Sequence, residues 1–503
     1  MLPGALNFVK LEKIMKPLTM ILLVGALVTS QACFADDAQQ RMVDLELHMK
    51  ALTESMAQQI EQLNGQVKKL QSQLEETHTR QTTEEKKSDK LVKASIREVG
   101  GLKDGLVLED GGEMWRLQLN GGVQGDYRHF TPDQQNTDTF SVRYARLAAQ
   151  LYLFKDFNFK LESEFANDNS GAKGTAALTS GYFEFARWPQ AKIRVGQFRP
   201  LFGLEGTSNG NFIGFQERSL ASNAIAGIGY DRGVMLHGAP IKGTYYSVAL
   251  SNGTGQNIDN NCAGCNPKSD GMDTTLRARA NLAEMLDIKG SVLHMGASWN
   301  QGTIAMGTNA KATSALTEAR GLTFFAPAAF TGSDVDRSHW GVEGAWSRGP
   351  VKLQGEYLHA NYDGTSAGGQ SYDRNLHAWY VEGNWLVTGE NYADTYSGGL
   401  FSRIRPKRNF DAIDGWGAFE LGVRYSLFDA SDFTRANDLG TGVLTTAMSS
   451  KADAWTLSAN WIFNPFVRVM VNYVQTSFGD SVLVNGKSSD HENALTMRTQ
   501  FDF

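Results

Sequence analysis

From about Glu113 to the C-terminus, hydrophobic positions recur every second residue. Trp115, Leu117, Leu119, Gly121 and Val123 alternate with Arg116, Gln118 and Asn120. Leu147, Ala149, Leu151 and Leu153 alternate with Arg146, Gln150 and Tyr152. Leu276, Ala278, Ala280 and Leu282 oppose Arg277, Arg279 and Asn281. Phe419, Leu421, Val423, Tyr425 and Leu427 oppose Glu420, Arg424 and Ser426. A period of two with one apolar and one polar, partly charged, face predicts amphipathic β-strands. About sixteen such segments follow one another.

Connection lengths separate a soluble sandwich from a closed barrel. Lys155-Asp156, Trp188-Pro189-Gln190, Gly238-Ala239-Pro240, Ala283-Glu284-Met285, Arg348-Gly349-Pro350 and Asn464-Pro465 read as short turns. Between them lie polar stretches at about 166–178, 199–230, 251–273, 300–337, 360–374, 429–452 and 477–491. Short and long connections thus take turns, as in outer-membrane barrels with short periplasmic turns and long external loops. The stretch 388–415 is long where a short turn is due. The last segment places Leu495, Met497, Thr499, Phe501 and Phe503 on one face. Its terminal aromatic, Phe503, is expected to act as the signal read by the barrel-assembly machinery. The predicted fold is all-β: a transmembrane antiparallel barrel of about 16 strands over residues 113–503.

The chain ahead of the barrel has other periods. Lys10, Lys13 and Lys16 precede the apolar run 18–28, and Ser30 to Ala35 supplies small residues before Asp36-Asp37. This pattern predicts a secretory signal peptide, residues 1–35, with cleavage expected after Ala35 and Met1 or Met15 as the start. The run is too short to span a bilayer as a helix. Reading Cys33 as the acylated residue of a lipoprotein ranks second, because Ser30-Gln31-Ala32 lacks the usual aliphatic residue. Next, Met42, Leu45, Met49, Leu52 and Met56, then Ile60, Leu63, Val67, Leu70 and Leu74, step by three and four. Such a stripe predicts an α-helical periplasmic coiled coil over 36–78, with one stutter at Met56 to Ile60. Residues 79–112 are expected as a linker.

Composition is compatible with this organisation. Mean hydropathy is −0.33, as for a soluble protein, but a barrel exposes only alternate residues to lipid. A formal charge of −6 argues against nucleic acid as a partner. The pair Cys262 and Cys265 lies among Asn, Asp, Gly and Pro; for an exported chain the first reading is a loop disulfide, then a free dithiol, with metal last. The sequence has no Gly-x-Ser-x-Gly nucleophile motif and no paired histidine spacing. No enzyme activity, metal or cofactor is therefore expected.

Several segments resemble the phosphate-selective porin O/P family of bacterial outer-membrane channels. They are Phe140-Ser-Val-Arg-Tyr-Ala-Arg146, Leu153-Phe-Lys-Asp-Phe157, Ile193-Arg-Val-Gly-Gln-Phe-Arg-Pro-Leu-Phe-Gly-Leu-Glu205 and Glu217-Arg-Ser-Leu220. Val387-Thr-Gly-Glu390 and Gly417-Ala-Phe-Glu-Leu-Gly-Val-Arg-Tyr-Ser426 follow in the same order, so the likeness covers roughly residues 100–503. It implies a homotrimer of 16-stranded barrels in outer-membrane lipid. It also implies that the 388–415 irregularity is the family's own insertion, and that the solutes are small anions or polar molecules.

The loop 199–230 is the expected infolded constriction. Candidate pore-lining residues are Arg143, Arg146, Arg194, Arg199, Glu205, Glu217, Arg218, Arg277 and Arg279. Arg218 has two readings, facing the pore or pairing with Glu205 or Glu217. Phosphate-selective relatives set lysines at the constriction, yet 204–230 has none, and inward Glu162, Glu164, Glu343, Glu356 and Glu382 offset the arginines. These residues favour a general or weakly anion-preferring diffusion channel over strong phosphate selectivity. A phosphate- or polyphosphate-selective channel, and a structural anchor with a working coiled coil, are the alternatives.

Overall fold

The structure is a computed structural model. It describes residues 96–98, 105–110, 114–131, 137–166, 176–258, 271–305, 312–434, 441–484 and 486–503. The expected signal peptide, coiled coil, and Cys262 with Cys265 lie outside these residues.

Sixteen antiparallel strands close into one barrel. They are β1 (Trp115–Thr131), β2 (Thr139–Leu153), β3 (Phe157–Glu164), β4 (Ala177–Trp188), β5 (Ala191–Phe198), β6 (Asp231–Gly238), β7 (Thr244–Ser251) and β8 (Asp273–Asn281). The others are β9 (Ser291–Ile304), β10 (Val335–Arg348), β11 (Val351–Thr365), β12 (Ser371–Leu386), β13 (Ala418–Asp429), β14 (Lys451–Asn464), β15 (Val467–Val484) and β16 (Lys487–Asp502). Each pairs with its sequence neighbour, and β16 closes on β1 from Asn493↔Thr131 to Asp502↔Gly122. Closure leaves no free edge, the condition for backbone in a bilayer. Below the end of β16, Leu106–Asp110 takes its place along β1, with Leu106 opposite Leu119. That piece of the stretch expected as linker is therefore strand.

The alternation sorts as the physics of two solvents requires. Leu421, Val423, Leu495, Met497 and Phe501 stand exposed on the outer face, while Arg424, Arg498 and Gln500 between them are buried inside. Exposed Trp340 and Trp455 lie toward the long-loop end, Trp188 and Trp385 toward the turns; aromatic residues favour both interfacial levels. Arg143 and Arg146 are three apart, so a regular strand would point them to opposite faces. A bulge resolves this. Gln124 pairs with Tyr144 and Gly125 with Val142, leaving Arg143 extra and turned inward.

Two stretches expected as long loops are tall hairpins instead. β11 and β12 continue to a turn at 366–370, and β15 and β16 stay paired as far as Val484 opposite Lys487. Polar residues there suit strands that rise above the membrane, where composition no longer separates strand from loop. The wall is correspondingly uneven. β3, β5, β6 and β7 have 8 residues each, whereas β15 has 18.

The lumen holds protein on one side. Phe202, Leu220 and Ile225 of the loop 199–230 pack with Phe324, Phe325 and Phe330 of the β9–β10 loop and Phe433 of the β13–β14 loop. They rest on inward Leu358, Leu376, Ala378 and Phe428 of the wall. Each fully buried side chain of this size contributes about 1.5–3 kcal/mol, which holds otherwise polar loops down inside a hydrated barrel. From the turn end, the 388–415 connection also enters: the Tyr392 hydroxyl donates to Glu420 at 2.5 Å and Arg403 pairs with Asp502.

Candidate constriction and ion path

A loop inside a barrel must satisfy its backbone without a sheet. The loop 199–230 does so on inward wall side chains. Gly203 N–H donates to Ser298 Oγ at 3.0 Å, and the N–H groups of Leu204 and Glu205 donate to the Glu356 carboxylate at 2.7 Å each. A short helix, Leu204–Thr207, starts there. Farther on, the Asn211 carbonyl accepts from Gln500, the Ile213 carbonyl from Arg468, and the Gly214 carbonyl from Ser458 and Asn460. The Gln216 and Glu217 carbonyls accept from Arg498 and Arg424. A second short helix, Leu220–Ala224, is capped by Ser219, which accepts from Ser222 N–H. The loop is thus fastened along β9, β11 and β13–β16, and to β1 through Gln124 and Arg128.

Both carboxylates of this loop face the wall. Glu217 sits among three guanidiniums, Arg143 at 2.8 Å, Arg498 at 2.8 Å and Arg128 at 3.2 Å. Burial alone would raise its pKa; Arg143, Arg498 and Arg128 outweigh burial and hold the carboxyl well below the usual range. Glu205 accepts from Arg424 at 3.1 Å and from Ser219 Oγ at 2.6 Å. Its carboxyl is pushed up, by burial first; Arg424 pulls the other way and Glu382 adds to the rise. Arg424 also binds Glu318 of the β9–β10 loop at 2.6 Å, so one guanidinium joins two infolded loops to β13.

The remaining arginines divide by position. Arg277 is buried against Glu343 at 2.5 Å, with His294 on the same carboxylate. Arg279 donates to the Gly398 carbonyl of the 388–415 connection. Arg194 pairs with Glu184 at 2.6 Å, and Arg146 with Glu164 at 2.6 Å while keeping 31% of its side chain exposed. Arg199 donates to the Gly206 carbonyl, and Arg218 to the carbonyls of Glu205 and Ser208. Among the described residues neither Arg199 nor Arg218 is ion-paired to a carboxylate. Arg218 thus bonds the Glu205 backbone and, among the described residues, neither loop carboxylate. Burial, and then the neighbouring Arg218, pushes Arg199 below the usual arginine value.

Arg146, Arg199 and Arg218 surround Tyr144 and Tyr230 on the unfilled side of the lumen. A methyl placed on Gly210 would lie 3.7 Å from the Tyr144 ring and 3.9 Å from each Nη of Arg218. Two chambers lie on this side, one reaching Tyr230 and the other Tyr144. The one toward the long loops, about 320 Å³, is lined by Ile225, Ile228, Tyr230, Arg337 and His339 among others. The one toward the turns, about 270 Å³, is lined by Tyr144, Arg146, Lys160, Glu162, Phe212 and Arg403 among others. Tyr144, Tyr230, Glu318 and Arg403 were not singled out as site residues from the sequence. Only Tyr144, between two candidate arginines, carried a local signal.

A closed barrel with an apolar exterior, a charged lumen and an infolded loop is a porin-type channel of the bacterial outer membrane. The chain belongs to the phosphate-selective porin O and P family, whose family model matches residues 117–503. It is 24% identical over 426 residues to Porin O of Pseudomonas aeruginosa, spanning 80% of this chain and 91% of that one. Among solved structures, it is similar to an anion-selective porin from Comamonas acidovorans, at 12% identity, 77% and 100% coverage and a TM-score of 0.47. The outer membrane channel DcaP of Acinetobacter baumannii gives 12%, 77% and 97%, and 0.47.

Proposed function

We propose that this porin is a passive, moderately anion-preferring diffusion pore for small polar and anionic solutes, with Arg146, Arg199 and Arg218 at its narrowing. One observation carries the reading. The loop's carboxylates, Glu205 and Glu217, are turned into the wall, while Arg199 and Arg218 donate to carbonyls and, among the described residues, pair with no carboxylate. Passing anions therefore meet guanidiniums that are held in place but not neutralised. Arg143 and Arg277 act as fasteners in this reading, and Arg194 and Arg279 lie along the approach. Strong phosphate selectivity is not expected, since Lys160 is tied to Glu162 at 2.8 Å and an ion that sheds its water needs densely placed donors.

The reading includes a homotrimer. Strands of 8 residues, about 3.4 Å each and tilted about 40°, reach only about 21 Å. That falls short of the apolar band, and packing of the low β3–β7 wall against neighbouring protomers removes the mismatch. It further includes a cleaved signal peptide (1–35), a periplasmic coiled coil (36–78), a loop disulfide between Cys262 and Cys265, and recognition of Phe503 by the assembly machinery. Single-channel recording in planar bilayers tests the pore: reversal potentials should give chloride over potassium. Cation preference, or no conductance from the folded trimer, would sink it. Deleting 36–78 tests the coiled coil; unchanged trimer stability would remove it as an assembly device.

A further inference from the structure

The open side of the lumen has a regularity that anion preference alone does not require. Five of its arginines lie on tyrosine rings. Arg116 is 5.8 Å from the Tyr152 centroid, Arg194 is 4.2 Å from Tyr182, and Arg199 is 5.4 Å from Tyr230. Tyr144 carries two, Arg143 at 4.3 Å and Arg146 at 4.0 Å. The bulge at Arg143 is what turns this residue inward beside the ring. All four tyrosines are only partly buried.

Chemistry follows from this arrangement. A guanidinium laid on a ring has one face covered and directs its N–H fork from its edge, the geometry that meets a carboxylate. Ring and guanidinium together form a flat, weakly hydrated surface, on which an aromatic or apolar body gains contact. A strongly hydrated inorganic anion gains little there. Arg146, Lys160 and Arg194 each have a carboxylate partner that lowers the field a dianion would feel. The external chamber adds the partly buried Ile228 and Ile304, apolar surface of no use to phosphate or chloride.

The geometry points to organic monocarboxylates with a flat, apolar body as the solutes this pore favours. They pass from Tyr230 and Arg199, across Arg218, to Tyr144 and Arg146. This assignment rests on the anion-pore reading and narrows its substrate class.

Full-length trimers in planar bilayers, under bi-ionic gradients of potassium chloride against acetate, benzoate or phosphate, test it. Acetate and benzoate share a carboxylate, and benzoate is the larger and slower ion. Benzoate should exceed acetate by about 3- to 10-fold over the ratio of their aqueous mobilities, the strength of an ordinary aromatic contact. Replacing both rings (Tyr144→Leu with Tyr230→Leu) should return that ratio to the mobility value, and Tyr→Phe at both positions should preserve it. The wild-type ratio decides even where the leucine variant does not fold. Benzoate trailing acetate in proportion to size, or phosphate exceeding benzoate, would overturn the assignment while chloride-over-potassium preference kept the anion pore intact. Loss of preference for every anion over potassium would overturn both.

Discussion

Neutralising Arg218 is the sharpest probe of the constriction. A group at the side-chain position of Gly210 lies 3.9 Å from each Nη of Arg218, so an ion reaching that position would lie about 4 Å from the charge. At that separation a unit charge contributes about 1 kcal/mol in bulk water and about 4 kcal/mol at an effective dielectric near 20. The lower figure suits a hydrated lumen and is worth about fivefold in rate. Arg218→Gln withdraws it from chloride and relieves potassium of the same repulsion. The chloride-to-potassium permeability ratio should then fall about 30-fold where one barrier governs both ions. At about 1 M salt the Debye length is near 3 Å, so most of the difference should vanish. Arg218→Lys separates charge from bracing, since it keeps the cation and loses the fork that holds the carbonyls of Glu205 and Ser208. The assay is the reversal potential across a potassium chloride gradient near 0.1 M. A Gln variant within twofold of wild type would refute the placement of Arg218 on the ion path. A Lys variant falling as far as Gln would show that only the bracing matters.

Three further outcomes follow from the same geometry. Arg424→Met leaves Glu205 and Glu318 buried without their shared cation; the expected loss is about 3–5 kcal/mol, read as a lower temperature of heat modification on gels and as noisier open-channel current. Glu217 should show in acid. Its carboxyl is held well below the usual range once burial is outweighed by Arg143, Arg498 and Arg128, and the unfolded value is about 4.3. The clamp's stabilisation is therefore fully present above about pH 4.3 and lost as pH falls toward the folded value. Heat stability should be flat in this respect between pH 7 and 5, decline below about 4, and lose that acid limb in Glu217→Gln. Gly210→Leu, at a position without left-handed backbone, puts a side chain between Tyr144 and Arg218; single-channel conductance should fall by at least half, and an unchanged value would place the narrowing elsewhere.

Much of the barrel was legible in the sequence because lipid and water impose opposite demands on successive residues. That rule is local, so period two exposed the strands, and alternating turn and loop lengths exposed their order. Legibility failed where the rule stops applying. Above the membrane, polar residues at 360–374 and 477–491 read as loop although pairing continues to Thr365↔Ser371 and to Val484↔Lys487. At Arg143 one bulge residue reversed the parity. The inward apolar residues Leu358, Leu376 and Phe428 broke the polar-lumen expectation, because loops distant in sequence cover them.

The arginines mark the division most clearly. Sequence by itself determined that Arg143, Arg146, Arg277 and Arg424 belong to a barrel whose interior is charged. Only the tertiary structure decided what each one does there. Arg424 and Arg498 are fully engaged by Glu205, Glu217, Glu318 and the carbonyls of a loop some 200 or more positions away in sequence. Arg199 and Arg218, on the loop itself, meet carbonyls and the open lumen. Strand periodicity depends on immediate neighbours and the surrounding solvent. Charge compensation depends on which distant groups folding brings within 3 or 4 Å, and no local pattern encodes that.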